Sequence, residues 1–487
     1  MISTISWVPR GAAKSVPIEA EPPTQEEIEE AMKSIALGRA GEDADDAEGD
    51  EDDGEMEVDD LEDEDEVDEV AQAKAAAKAL GKTGSAPVGD ISDGMAELNM
   101  DAYDDEEDEL EVFSTGRGDL YYPDPNLDPY YTKKKDHDDD EDDDSSEEED
   151  MTIKPTDMLI VCAHNEDEFN SLQVSIVEEL EDGNPNMFVH HEVPLSDFPL
   201  CTAWMDFNRK DGDEKGNFIA VGTMDPAIEI FNLDIVDEVE PHAVLGGPSK
   251  KQVKGKKTKW KKGSHRKSVL GLAWNAVVRN VLASASADKT VKVWDLSAGK
   301  CAVTLLHHDD KVQSVAWRSP EVLLSGSFDR LVVMSDMRDN GQSHHKWSVQ
   351  AEVESLVCDP HNEHSFVVSL DNGMVQAFDT RTASSNSNPG QPTFTLHAHE
   401  KAASSISFCS SKPNFIATGG TDKMVKLWDI SNNQPSCVAS LNPKLGAVFS
   451  VSFSIDSPFL LACGGSKGKL KVWNTLSEPA VANKFGK

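Results

Sequence analysis

The sequence predicts an all-β fold, a seven-bladed β-propeller with a long disordered acidic insertion after its first strand, and three observations carry that prediction. A unit of three short runs of alternating apolar residues, split by Gly, Asp or Ser, recurs six times between Cys201 and Asn474; a period of two marks half-buried strands. The charge is divided, with residues 1–150 carrying 52 Asp and Glu against 11 Lys and Arg, and residues 151–487 carrying 39 against 34. Finally, TISW at 4–7 has the form of the first run of each repeat, although the acidic tract separates the two. The chain therefore divides into residues 1–12, a strand completing blade one, residues 13–150, the insertion, and residues 151–487, the propeller.

The clearest copies are SVLGLAWNAVVRNVLASASADKTVKVWD, ending at Asp295, SISFCSSKPNFIATGGTDKMVKLWD, ending at Asp429, and SVSFSIDSPFLLACGGSKGKLKVWN, ending at Asn474. Weaker copies end at Asn232, Asp336 and Asp379. Trp294, Ser335, Phe378, Trp428 and Trp473 hold equivalent places at intervals of 41, 43, 50 and 45 residues. This resembles the WD40 repeat, which has four strands per blade and a Trp-Asp ending to the third. His265, His308 and His399 each lie nine residues before Trp274, Trp317 and Phe408. By that resemblance His265, Ser284, Asp288 and Trp294 form one side-chain hydrogen-bond chain, and His399, Thr418, Asp422 and Trp428 another. A Ser-His-Asp set suggests a hydrolase, but its recurrence in separate blades makes it structural. The fourth blade keeps His308, Ser325 and Asp329 but has Ser335 in place of the tryptophan, so an incomplete network is expected there.

Closure of the ring needs a seventh blade. DMLIVCAHNEDEFNSLQVSIVEE, from Asp157, supplies its second and third strands and MFVHHEVPL (187–195) its fourth. The innermost strand is missing, and TISW fits SVAW, SISF and CTAW of the other blades. The opening strand then completes blade one from the far side of the insertion and clasps the ring, leaving no open edge.

Residues 41–70 contain 20 acids and no Lys or Arg, and DHDDDEDDDSSEEED (136–150) has 12 acids in 15 residues. Such segments bury too little apolar surface to fold. They serve as a solubilising spacer or as a polyanion for basic partners such as histones. Ser145 and Ser146, each with Glu three residues on, are candidate phosphosites. Two islands break the tract: TQEEIEEAMKSIALG, a capped amphipathic helix from Thr24, and YYPDPNLDPYYT (121–132), both expected to dock on the propeller. GKT at 81–83 lacks the preceding glycine of a phosphate loop, because Ala76 stands there.

Between blades two and three lies a basic loop, 248–267, with Lys250, Lys251, Lys254, Lys256, Lys257, Lys259, Lys261 and Lys262 around Trp260. It suits phosphate contacts with Trp260 stacking on a base, nuclear import, or both. The seven scattered cysteines (162, 201, 301, 358, 409, 437, 463) form no C-x-x-C pair, which argues against zinc or disulfide frameworks. No secretory leader and no run of about 18–20 apolar residues is present. The expectation is a non-enzymatic protein without cofactor, metal, membrane or small-molecule substrate.

ISWVPRGAA, DPYYT, IKPTDMLIVC (153–162) and VHHEVPLSDFPLCTAW (189–204) resemble the periodic tryptophan protein 1 family of WD40 proteins, from the first strand to the last blade. The resemblance implies a nuclear, mainly nucleolar scaffold supporting ribosome biogenesis, through rRNA transcription and pre-rRNA processing. Its implied partners are proteins of pre-ribosomal or rDNA chromatin complexes, with histones on the acidic insertion and RNA on the basic loop. The alternative is a histone-binding chromatin protein.

Overall fold

The computed structural model describes residues 1–20, 152–166, 169–179, 185–208, 215–248, 260–382 and 390–486. The insertion from residue 21 onward, with Ser145, Ser146 and both islands, lies outside the described residues, as do Lys250, Lys251, Lys254, Lys256, Lys257 and Lys259, while its first residues, 13–20, are described. The described part forms seven antiparallel sheets. Blade 1 orders its strands as Ile2–Val8, Met158–Glu166, Phe169–Glu179 and Pro185–Pro194. The inner strands of blades 2 to 7 are Pro199–Phe207, Val269–Trp274, Val312–Ser319, Val353–Cys358, Ala403–Phe408 and Val448–Phe453. Each inner strand touches the next, and Ile2–Val8 touches those of blades 2 and 7, so the ring closes.

Both sheet faces of a blade are covered by its neighbours, and the middle strands show it. Val281–Ser286 (VLASAS) and Phe415–Gly420 (FIATGG) are almost wholly buried. Small side chains there let adjacent blades approach, while Leu282, Phe415 and Ile416 fill the space between. The inner edges of the ring present backbone groups without ladder partners, and hydroxyls of a neighbouring blade meet several of them. Ser314 Oγ accepts from Leu356 N at 3.1 Å, Ser405 Oγ from Val451 N at 3.1 Å and Ser407 Oγ from Phe453 N at 3.0 Å. Buried N–H groups left unpaired would cost about 1–3 kcal/mol each.

The first strand is fastened on three sides. It pairs antiparallel with Met158–Glu166, placing Ile5 opposite Cys162 and Trp7 opposite Ile160. Ser6 Oγ meets Thr202 Oγ1 of blade 2 at 2.8 Å, and Trp7 Nε1 donates to the Ser452 carbonyl of blade 7 at 3.0 Å. Beyond it, Ile18–Glu19 pairs parallel with Ile235–Val236, and Ile153 N donates to Ser15 O at 2.8 Å. Both ends of the insertion therefore leave the propeller from fixed points on blades 1 and 2.

One blade differs from the repeat. Among the described residues blade 7 has only three strands, the third being Leu470–Asn474, whereas four are expected. The chain instead turns into helix α1 (Pro479–Phe485), whose Phe485 stacks on Phe415 of blade 6 at 4.4 Å and whose Lys484 pairs with Asp429. The first strand closes the ring but does not fill this outer position.

Candidate functional site

The structure brings together both predicted side-chain sets. In blade 3, His265 Nδ1 lies 3.0 Å from Asp288 Oδ2 and Nε2 lies 2.7 Å from Ser284 Oγ, while Trp294 Nε1 donates to Ser284 Oγ at 2.8 Å. In blade 6, His399 Nδ1 lies 3.0 Å from Asp422 Oδ1 and Nε2 2.8 Å from Thr418 Oγ1, which accepts from Trp428 Nε1 at 2.9 Å. In blade 4, His308 keeps contacts of 2.8 Å to both Asp329 and Ser325, but Ser335 Oγ is buried without a hydrogen-bond partner among the described residues. A buried tryptophan comes instead from the next strand out, where Trp347 packs edge-on against Phe366 at 5.1 Å. The sequence pattern does not single out Thr290, whose hydroxyl donates to Asp288 Oδ1 at 2.6 Å and lies 3.2 Å from His265 Nδ1.

These groups are fixed rather than poised for attack. Burial depresses the His265 pKa against the opposing pull of Asp288, so the imidazole stays neutral. Burial raises the Asp288 carboxyl, but the hydrogen bonds from His265, Thr290 and Arg266 outweigh it and the net shift is downward. Ser284 is fully buried, with its hydroxyl engaged by His265 and Trp294. Burial also pushes the Cys162 and Cys463 thiols up to about 12, far from a reactive thiolate.

One mouth of the ring is the end at which the inner strands begin. Each inner strand carries a register shift near its start, leaving Leu200, Leu270, Gln313, Glu354, Ser404 and Phe449 out of the ladder. Bulges re-aim side chains in this way. The rim is uneven in charge. At blade 5, burial together with Asp371 and Glu352 raises Glu354 to about 7. Because the folded value exceeds the ordinary 4.5, Glu354 favours the fold at low pH and opposes it progressively as the pH rises through 7. Glu354→Gln is expected to lie about 2–3 kcal/mol higher in stability relative to the parent at pH 8.5 than at pH 5, as paired denaturant titrations would read.

At blade 3 the same rim is basic. An open cleft of about 570 Å³ is lined by Arg266, Lys267, Lys289, Lys292, Thr304 and Leu306, among others. Lys292 is buried and reaches Thr304 Oγ1 at 3.0 Å; Arg266, Lys267 and Lys289 are exposed. Leu306 is 74% exposed on its wall. The root of the basic loop opens beside it: Trp260 bridges Pro248, and Lys261 N donates to Gly247 O at 3.1 Å. Trp260 is half-buried, with the Arg266 guanidinium 5.6 Å from its ring centroid, so one face is already occupied. Lys261 and Lys262 are exposed. The cleft and loop root set several cations, the Asp288 carboxylate, an aromatic ring and an exposed leucine side by side.

A closed ring of repeated blades with internal His–Ser/Thr–Trp networks is a WD40 propeller, the fold of an interaction scaffold. The family model described as WD domain, G-beta repeat matches residues 257–295, 390–429 and 435–474, the blades with a tryptophan at the end of the third strand. The chain is 32% identical over 418 residues to periodic tryptophan protein 1 of Saccharomyces cerevisiae, covering 74% of this chain and 71% of that protein. It is 36% identical over 371 residues to an uncharacterized WD repeat-containing protein of Schizosaccharomyces pombe, covering 74% and 69%, and 33% identical over 292 residues to the Drosophila melanogaster homolog of periodic tryptophan protein 1, covering 58% and 60%. The chain belongs to the periodic tryptophan protein 1 family.

Proposed function

We propose that this protein is a nuclear, mainly nucleolar scaffold of ribosome biogenesis, acting in rRNA transcription and pre-rRNA processing. The observation that carries the reading is the basic cleft at blade 3, beside the described root of the basic loop, on a closed ring that offers no free nucleophile in its buried His-Ser-Asp sets. Fixed cations beside an aromatic suit single-stranded RNA, whose backbone is held by charge and whose bases stack. The strongly acidic insertion suits basic ribosomal proteins or histones. A second reading, a histone-binding chromatin protein, draws on the carboxylates Glu352, Glu354 and Asp371 at the rim of blade 5.

Purification of the tagged protein from nuclear extract, with and without ribonuclease, separates the two. Pre-ribosomal proteins and processing factors are the expected main cargo. Their loss on ribonuclease treatment and on Trp260→Ala/Arg266→Glu/Lys267→Glu would identify RNA at the cleft as the link. Core histones as the main cargo, insensitive to ribonuclease, would put the chromatin reading first.

A further inference from the structure

The cleft at blade 3 gathers more positive charge than its own residues balance. Arg266 and Lys267 lead into the inner strand Val269–Trp274, Lys289 sits in the turn after Val281–Ser286, and Lys292 lies on the third strand, Val291–Asp295. None of these four side chains forms an ion pair among the described residues, whereas Arg10, Arg279, Arg338 and Arg381 each hold a carboxylate. The one carboxylate on the cleft wall, Asp288, is already engaged by His265 Nδ1, the Arg266 N–H and the Thr290 hydroxyl. Four cations against one carboxylate leave an excess of three positive charges around about 570 Å³. Lys292 stands apart from the other three. It is 6% exposed yet lines the cleft, and among the described residues its ammonium meets only the Thr304 hydroxyl, at 3.0 Å. An ammonium has three donors and no acceptor. Burying one against a single neutral partner is costly, and an anion in the cleft would offset that cost.

We propose that the cleft holds the terminal phosphate of an RNA strand, with Lys292 and the Thr304 hydroxyl at its recessed end and Arg266 and Lys289 at its sides. The inference rests on the RNA reading of the cleft and adds which group of the RNA enters it. A phosphate inside the strand carries one negative charge and has a sugar on either side, so it meets cations along an open surface. A terminal phosphate carries about 1.5–2 negative charges at pH 7 and offers three acceptor oxygens. It also reaches a recessed ammonium end-on, with a sugar on one side only. The cleft falls within the range of small-ligand sites, about 300–1,000 Å³, which suits a strand end and not a long stretch. Lys289 is held at the wall by its bond to the Asp309 carbonyl at 2.7 Å, so it is placed before the phosphate arrives. The exposed Lys261 and Lys262 at the loop root are left for phosphates further along the strand.

The test compares binding of the full-length protein to a short oligouridylate with a 5′-phosphate, with a 3′-phosphate, or with hydroxyls at both ends. Phosphate at one end is expected to raise the affinity at least about tenfold over the hydroxyl form, and the two phosphorylated forms show which end is taken. Lys292→Met removes a buried charge at similar length, so the ring should stay folded. It should bind the hydroxyl form as the parent does and lose the preference. Thr304→Val, at an exposed position of the outer strand, should lose part of it. Lys261→Gln/Lys262→Gln should weaken all three oligonucleotides alike. In phosphorus NMR the terminal resonance should move on binding to the parent and stay in place with Lys292→Met. Equal affinity of the parent for all three forms would overturn the proposal and leave the RNA reading standing. A preference that survives Lys292→Met would overturn it as well, and binding of none of the three would overturn both. Uridine 5′-monophosphate binding as tightly as the phosphorylated strand would make this a site for a free nucleotide, against the proposal.

Discussion

A protein lacking residues 1–8 is expected to show no cooperative unfolding transition for the propeller. Ile2, Ile5, Trp7 and Val8 are 0%, 7%, 6% and 1% exposed, and each contributes about 1.5–3 kcal/mol by leaving water. That sum alone matches the whole net stability of a typical domain, about 5–15 kcal/mol. The loss extends beyond one strand, because this strand supplies the inner edge of blade 1 and touches the inner strands of blades 2 and 7. Without it, Met158–Glu166 becomes an unpaired apolar edge lining the channel. Calorimetry or circular dichroism on the truncated chain checks the prediction, and an unchanged melting transition would refute it. A graded version is Trp7→Ala, expected to cost about 3–5 kcal/mol through the cavity and the lost hydrogen bond to Ser452. The fit is close: a Cβ on Gly464 would sit 2.5 Å from Ile2 Cγ2, so Gly464→Ala should weaken the same seam.

The repeat and its closure are legible in the sequence because both are periodic. TISW can be matched to SVAW and SISF by pattern, and the structure pairs Ile2–Val8 into blade 1. The His265 and His399 sets can be read at fixed spacing because they recur within blades. What is not legible arises between blades. Glu354 looks like an ordinary surface acid until a bulge turns it to the rim beside Asp371 and Glu352. The cleft gathers Arg266, Lys289 and Leu306 from three separate connections, and no linear motif announces that convergence. Arg279, which donates to Asp206 at 2.6 Å and ties blade 3 to blade 2, lies in an unremarkable turn. Trp347 is fully buried although its strand is the outer one of blade 4 and alternates weakly, HHKWS. That blade 7 has only three strands among the described residues is a departure a repeat pattern cannot signal.

Loss of the Ser284 hydroxyl is expected to destabilise the protein by about 2–4 kcal/mol, and loss of the Ser325 hydroxyl by about half as much. The difference follows from the direction of each hydrogen bond. Trp294 Nε1 can only donate, so Ser284 Oγ accepts from it. Asp288, with its pKa lowered, is an acceptor, so His265 donates from Nδ1 and leaves Nε2 as an acceptor for the Ser284 proton. Ser284→Ala therefore strands a tryptophan donor and a histidine acceptor together, both buried. Ser325→Ala strands only His308, since Ser335 stands where the tryptophan would be. In blade 6, Thr418→Val should behave like Ser284→Ala, because Thr418 links His399 and Trp428 in the same way. The networks also have a pH signature. Burial lowers the pKa of both His265 and His399 below the ordinary 6.5, so their contribution is complete above that value and is lost as the pH falls below it. A second proton on His265 would force Nε2 to donate and leave the Ser284 hydroxyl proton without an acceptor. His265→Gln/His399→Gln should thus be less stable than the parent at pH 7.5, with a gap that narrows by pH 5.5; Glu354 titrates identically in both proteins and cancels. Parallel denaturant titrations at the two values measure the gap; a gap independent of pH would mean that the histidines titrate in the folded ring as they do in the unfolded chain, and a gap that widens by pH 5.5 would mean that they are charged in the ring.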